Sequence, residues 1–460
     1  MTYPDPHLHD LLEEREPKMT TRSSRSLRGL AARRAAHVAF TAFAVALGAA
    51  SLVACGSTTA GGSASATTAA SPSSGSSSSS AKVITAASVN PQTLDAMIQH
   101  TLLAPVPASQ LDPVTKNTLA VASVPLTAAQ NQKLTECLHS PSCDTGHGTL
   151  TLAINRDAPN SFSNEYRAEA TAQALQYPQI KKILYADTTD GSISAALADL
   201  RSFVAQKVDI LVEDPELGGA LGPVLHQAKQ AGITVVSVNS PLPPSLASSV
   251  NTNIPFELCA MGTAAGNAVA KATTGARTYG LYTGIPGNPD GAEWQPCAQK
   301  ALTGAGWTKV AQGFTQWTPQ GESQAASALL ASGKNPGAIF YDASVDDFLK
   351  PYISAHKTPP AAFADAARYS LFGVYNQAKA ANLNPNVFLS NGHSWYGRLG
   401  VTAAMMIRLG DQVPSLIGPP TPVVSMASIL AQDKPGIPAD AYIPTLLTPA
   451  QLQLAESVSS

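Results

Sequence analysis

At 460 residues the chain exceeds one ordinary domain of roughly 100–200 residues, and with 44% hydrophobic and 13% charged residues it can bury a large core. The formal net charge is −2 at pH 7; positions 1–54 hold 7 Lys/Arg and 5 Asp/Glu, leaving 22 basic and 26 acidic residues beyond them. That balance offers no electrostatic footprint for nucleic acid, and no DNA-binding module accompanies it.

At the N-terminus, Arg22, Arg25, Arg28, Arg33 and Arg34 form a basic region ahead of an apolar run, Val38–Val53, that ends in small residues before Cys55. The run has the length of a signal-peptide core and falls short of the ~20 apolar residues a spanning helix needs. Leu52-Val53-Ala54-Cys55-Gly56 resembles the lipobox of bacterial lipoproteins. The resemblance implies removal of residues 1–54 and acylation of the Cys55 thiol and of the new amine. Several acyl chains on one cysteine would hold the protein at the outer face of the cell membrane. Arg33-Arg34 offers a twin-arginine export signal as an alternative, and Met19 competes with Met1 as the start. Residues 55–81, nearly all Ser, Gly, Thr and Ala, read as a flexible tether.

Residues 82–147 read as a small helical extension. Cys137 and Cys143 enclose a short loop and are expected to pair, leaving Cys259 with Cys297, because an even count outside the cytoplasm is the pattern of disulfides. A zinc site on Cys137, His139, Cys143 and His147 is the rival, with a spacing that fits no zinc pattern. From Gly148 the chain alternates β-branched apolar runs with helical stretches. Buried parallel strands are expected at 149–155, 182–187, 208–213 and 233–239, with helices near 164–176, 191–206 and 217–231. After a proline-rich pause at 240–245, strands follow at 278–283, 309–314 and 337–342, with helices near 257–273, 291–305 and 319–332. A third run has a helix over 362–381, a strand at 386–391, a helix over 396–409 and a strand at 422–429. This predicts an α/β fold of two doubly wound, Rossmann-like lobes joined by a hinge. The N-terminal lobe takes 148–245 plus part of 362–430, and the C-terminal lobe takes 246–361 plus part of 390–447. Residues 448–460 are expected as a tail.

The stretch Asp199–Asn239 resembles the type I periplasmic binding proteins of the ribose-binding kind. Gln206-Lys207-Val208-Asp209 and Ala231-Gly232-Ile233-Thr234-Val235-Val236 stand where that family has a helix-to-strand step and a buried strand, and Gly284–Gly291 is similar to its glycine-bearing loop before a helix. The likeness spans roughly 148–430. It implies lobes joined by three crossing segments that close over a ligand in the cleft. It also implies a partner permease and ATPase of an ABC importer and a small polar ligand such as a sugar; a monomer with no cofactor or metal is expected besides.

Ligands of open α/β sheets bind beyond the carboxyl ends of the strands, so the residues there become the candidates. In the first lobe these are Ser161, Phe162 and Asn164 after the first strand, Asp187 after the second, Asp214 after the third and Asn239 after the fourth. In the second they are Glu293, Trp294, Trp317, Asp342, Asn391 and Trp395. Carboxylates and amides suit hydroxyl donors, and tryptophan faces suit sugar CH surfaces; helix capping and packing between lobes are the competing roles. Relatives place an arginine where this chain has Glu293-Trp294-Gln295, which leaves the ligand's identity open. No G-x-S-x-G elbow, H-E-x-x-H pair or P-loop occurs, so an enzyme is not expected. A lipoprotein that senses a ligand for a membrane signalling partner would share the same fold and anchor.

Overall fold

The computed structural model describes residues 83–156, 161–187 and 192–458, apart from the side chains of Arg156 and Asp187. Cys55, the signal-peptide segment and the tether lie outside them, as do Asp157–Asn160 and Thr188–Gly191. Three helices come first: α1 (Pro91–Leu102), α2 (Pro113–Ala122) and α3 (Ala128–Leu138). The first sheet and its helices follow as β1 (Ser142–Asp144), β2 (Leu150–Arg156), α4 (Ser161–Ala174), β3 (Ile180–Asp187), α5 (Ile193–Ala205), β4 (Ile210–Glu213), α6 (Gly222–Gln230), β5 (Thr234–Asn239) and β6 (Thr252–Pro255). The second set comprises α7 (Leu258–Ala272), β7 (Thr278–Thr283), α8 (Pro289–Gly304), β8 (Thr308–Phe314), α9 (Pro319–Ser332), β9 (Ala338–Tyr341), α10 (Asp346–Ser354), β10 (Ala361–Ala364), α11 (Ser370–Ala380) and β11 (Val387–Leu389). The chain ends in α12 (Tyr396–Leu409), β12 (Val424–Ser425) and α13 (Pro449–Ser457).

The strand order is β1-β3-β2-β4-β5-β6 in one sheet and β12-β11-β10-β9-β7-β8 in the other. Only the outermost strands β1 and β12 run antiparallel to their neighbours. Five parallel strands in each sheet therefore repeat one pattern, β3-β2-β4-β5-β6 and β8-β7-β9-β10-β11. The order reverses between β2 and β4, and again between β7 and β9. These are the points where adjacent connections leave to opposite faces and open a crevice.

Local chemistry sets the helix starts. Asn90-Pro91, Asp112-Pro113, Asn288-Pro289, Thr318-Pro319 and Thr448-Pro449 all place a capping side chain before a proline at the first helical position. The cap accepts an otherwise orphaned backbone N–H, and proline has no N–H to lose there.

The second sheet differs from the sequence expectation at one strand. The helix expected over 362–381 begins only at Ser370, and its alanine-rich start, Ala361–Ala364, is the buried strand β10 between β9 and β11. Alanine favours helix locally, but small side chains suit a central strand pressed between packed layers. The strands β1 and β6 and the helix α10 were also not anticipated. Residues expected as a tail include α13, whose Leu452 and Ala455 are buried.

The chain leaves the first sheet between β6 and α7, and α7 packs on α8, β10 and β11. It returns after β11, because α12 packs on α4, β4 and β5. It crosses again to add β12 to the second sheet. On this third passage Thr252 Oγ1 donates to the Pro414 carbonyl, and the Asn253 and Ile417 amides pair with the Ser415 and Asn253 carbonyls.

Helix α12 is mostly buried and carries a charge into the interior. Arg398 Nε donates to Glu169 on α4 and its Nη1 to Gln173 Oε1 at 3.0 Å. Glu169 also accepts from the Leu446 amide at 2.7 Å. Removing one partner of such a pair strands the other charge, at a cost of about 3–5 kcal/mol. Arg398→Ala should therefore lower unfolding stability by an amount of that order in denaturant titration, whereas substitution of exposed Arg201 should leave it nearly unchanged.

Candidate functional site

The two reversal points carry the acidic strand ends. On the first sheet, Asp214 follows β4 and is buried; its Oδ2 accepts from Asn239 Nδ2 at 2.7 Å and its Oδ1 from the Ser240 amide at 3.1 Å. Burial raises its pKa against those hydrogen bonds. Asn239 ends β5 with φ +67°, a left-handed conformation that asparagine tolerates better than most residues. Two residues nominated separately are thus one hydrogen-bonded unit. Glu213, one residue earlier, accepts instead from Asn155 Nδ2 at 2.9 Å.

On the second sheet, Asp342 follows β9 and accepts from three donors: Trp317 Nε1 at 3.0 Å, Trp294 Nε1 at 3.3 Å and Asn288 Nδ2 at 3.4 Å. Burial still pushes its carboxyl up to about 6. Asn288 is also the N-cap of α8, so one side chain joins the helix start to the strand end. Gln316 and Trp317 both have left-handed backbones, φ +57° and +51°. Such conformations in bulky residues cost roughly 1–3 kcal/mol each and concentrate at functional sites. The strain lays the Trp317 ring over Gly284, where a Cβ would lie 1.9 Å from the indole, so only glycine fits.

Three aromatic groups meet between the sheets. His393, on the returning segment before α12, lies between Phe162 of α4 and Phe256 of the first crossing, at ring-centroid distances of 4.9 and 4.7 Å. Its Nε2 is 3.5 Å from Asp365 Oδ2. Burial alone would lower the His393 pKa, but Asp365, Asp290 and Asp214 raise it. Asp290, in the first turn of α8, is half-buried, yet its Oδ1 is enclosed and has no donor among the described residues. Burial first, then the charges of Glu216 and Asp214, hold its pKa well above the usual range.

The other nominated residues fall as follows. Ser161 and Phe162 open α4, with Ser161 Oγ 3.3 Å from the Tyr442 hydroxyl, and Asn164 is buried one turn on. Asp187 ends β3, its side chain outside the described set. Of the three tryptophans, Trp294 and Trp395 are fully buried and Trp317 is 40% exposed, so Trp317 alone presents an accessible face. Trp294 and Trp395 pack into the core that runs along α7 and α12. Glu293 is exposed on α8. Asn391 is buried and donates to the Pro420 carbonyl at 3.4 Å, joining the second and third crossings.

Phe256, Asp290, Asp365 and Tyr442 were missed. Asp365 was hidden because its strand was read as helix, and Phe256 because β6 was not recognised. The disulfides Cys137–Cys143 and Cys259–Cys297 are present, the second joining α7 to α8. A cavity of about 460 Å³ lined by Thr273, Gly275, Gly337, Pro360 and Asn386 lies at the opposite, amino-terminal ends of the second sheet's strands.

Asp342 gives a pH signature. Because its folded pKa is raised, its contribution to stability is present below the unfolded value and is lost as pH rises through about 6. Tryptophan fluorescence should show an inflection near pH 6, and Asp342→Asn should abolish it and flatten stability across that window.

Residues 153–357 match the family described as periplasmic binding protein domain. No curated protein matches the chain significantly. Among solved structures, the arabinose ABC transporter binding protein of Shewanella sp. ANA-3, bound to L-arabinofuranose, matches with a TM-score of 0.55 at 18% identity, over 62% of this chain and 94% of that one. A solute-binding protein of Agrobacterium vitis with bound D-fucose matches with a TM-score of 0.54 at 16% identity, over 64% and 100%. One from Bacillus halodurans C-125 with bound myo-inositol matches with a TM-score of 0.54 at 13% identity, over 62% and 98%. At these identities the likeness is one of fold. The match to the periplasmic binding protein domain thus lies within residues 153–357, and the chain has the two-lobed type I fold of these structures.

Proposed function

We propose that the protein is an extracytoplasmic solute-binding lipoprotein of an ABC importer, anchored through Cys55, that takes a small polyhydroxylated ligand such as a sugar or cyclitol between its sheets. The observation that carries this reading is the convergence of acceptor oxygens from both reversal points, Asp214 on one sheet and Asp290 and Asp342 on the other, beside the rings of Phe162, Phe256 and Trp317. Each ligand hydroxyl brings one proton to donate, and the enclosed Asp290 oxygen has no such donor among the described residues. The aromatic faces offer flat apolar area to ring CH groups. Structural neighbours with bound arabinofuranose, fucose and myo-inositol support the same ligand class. No helix among the described residues is long and apolar enough to cross a membrane, so attachment in this reading rests on the acylated cysteine. Export ahead of it rests on the basic and apolar leader.

A thermal-shift screen against pentoses, hexoses, inositols, amino acids and nucleosides tests the ligand class. A true ligand at 100 times its Kd should add about 2.7 kcal/mol of stability. Asp214→Ala removes a charged hydrogen-bonding group worth about 1.5–3 kcal/mol, so calorimetry should show at least a tenfold rise in Kd. Binding of an amino acid or nucleoside and of no polyol would overturn the proposal. Cys55→Ala should abolish incorporation of a labelled fatty acid in cells.

A further inference from the structure

Three crossings account for the type I connectivity, yet this chain makes a fourth. After β12 the segment 439–443 pairs with the loop that follows β10. The Tyr369 amide donates to Ala441, the Ser370 amide to Ala439 and the Ile443 amide to Ala367, with an antiparallel bridge between Arg368 and Tyr442. The same segment is bound to α4 of the first lobe. The Tyr442 amide donates to Glu165 Oε2 at 2.9 Å, and the Leu446 amide and Thr445 hydroxyl donate to Glu169. Tyr442 thus sits between the lobes: its neighbours Ala441 and Ile443 are bonded to the second, and its own amide and side chain to the first. Its ring meets Phe162 edge-on at 5.5 Å, and its hydroxyl lies 3.3 Å from Ser161 Oγ.

Other parts of the chain are shaped around this segment. Gly392, with φ +55°, lies where a Cβ would be 2.8 Å from the Ile443 carbonyl, so the returning crossing leaves room for it. His100 of α1 reaches both Gln432 Oε1 and the Thr445 carbonyl at 2.8 Å. Helix α13 then seats the chain on α3 and α4.

We infer that residues 439–448 are a built-in interlobe clamp, which holds the ligand-free lobes near the arrangement seen here, and that Tyr442 is a positioning residue for Phe162. Wide opening would have to break the Tyr442 contacts with Ser161, Phe162 and Glu165 or peel the segment from Ala367–Ser370. Partial opening leaves them in place. A receptor held this way spends less of its binding free energy on ordering the two lobes. The inference is independent of which ligand the cleft takes.

The test needs no ligand. Spin labels carried on p-acetylphenylalanine at exposed Arg201 on α5 and Lys300 on α8 report the interlobe distance by double electron–electron resonance. The ligand-free protein should give one narrow population, and Tyr442→Ala should add a second, longer one. Tyr442→Phe keeps the ring on Phe162 and should stay narrow. Three residues inserted at exposed Lys434, outside the clamped segment, should also leave the distribution narrow. Independently of any variant, the Tyr442, Ile443 and Leu446 amides of the ligand-free protein should resist hydrogen exchange as strongly as those of β4 and β5. A broad ligand-free distribution, rapid exchange at those amides, or an unchanged distribution in a folded Tyr442→Ala protein would overturn the inference.

Discussion

The pairing of Arg398, buried on α12, with Glu169 and Gln173 of α4 ties the late part of the chain to the first sheet. The helix belongs to the late part of the chain, yet it covers one face of the first sheet and lies against α4. A guanidinium placed there needs partners, and Glu169 and Gln173 of α4 supply them. The partners are themselves spoken for: Glu169 takes the Leu446 amide and Gln173 donates to Thr402 Oγ1. A polar network of this kind has few alternative arrangements, because each partial solution leaves a buried group unsatisfied. It fixes α12 on α4, and with it the positions of His393 just before the helix and Phe162 at the start of α4.

The site rests on a second constraint, the excess of acceptors over donors at the facing strand ends. Asp214 is satisfied by its own strand neighbours and Asp342 by two indoles and an amide. Asp290 is left with an enclosed oxygen and no donor among the described residues. Burying a carboxylate without a partner is costly, and the raised pKa of Asp290 is the expression of that cost. Elsewhere in the second lobe the same problem is solved internally. Glu322, Asp346 and Asp347 lie close enough together to suggest a metal site, but Arg368 occupies the middle, with Nη2 2.9 Å from Asp346 and 2.8 Å from Asp347. The contrast separates acids that stabilise the lobe from acids that face the cleft.

Much of this was legible in the sequence. Period and composition located most of the parallel strands, since buried strands read as continuous β-branched runs. They also located α12, whose expected bounds of 396–409 coincide with the helix. The alanine-rich β10 was not legible, because its local preference is helical and only burial between β9 and β11 overrides it. Nor were the short β1 and β6, which owe their extended form to pairing rather than to their own residues. Within the site, strand ends pointed to Asp214, Asn239 and Asp342, but not to the pairing of the first two. Tyr442 could not have been found by that rule. It reaches Phe162 from a loop nearly 280 residues away in sequence, and no local pattern records such a contact.

The place of α12 bears on how the chain acquires its structure during synthesis. Chains emerge N-terminus first, and domains ordinarily fold as units in that order. The first sheet is complete in strands once Pro255 has appeared, but the helix that covers β4 and β5 ends at Leu409. Until then Val212 and Val238, which Gly400 is shaped to meet, have no partner on that face. The first lobe to be made is therefore finished only after nearly all of the second.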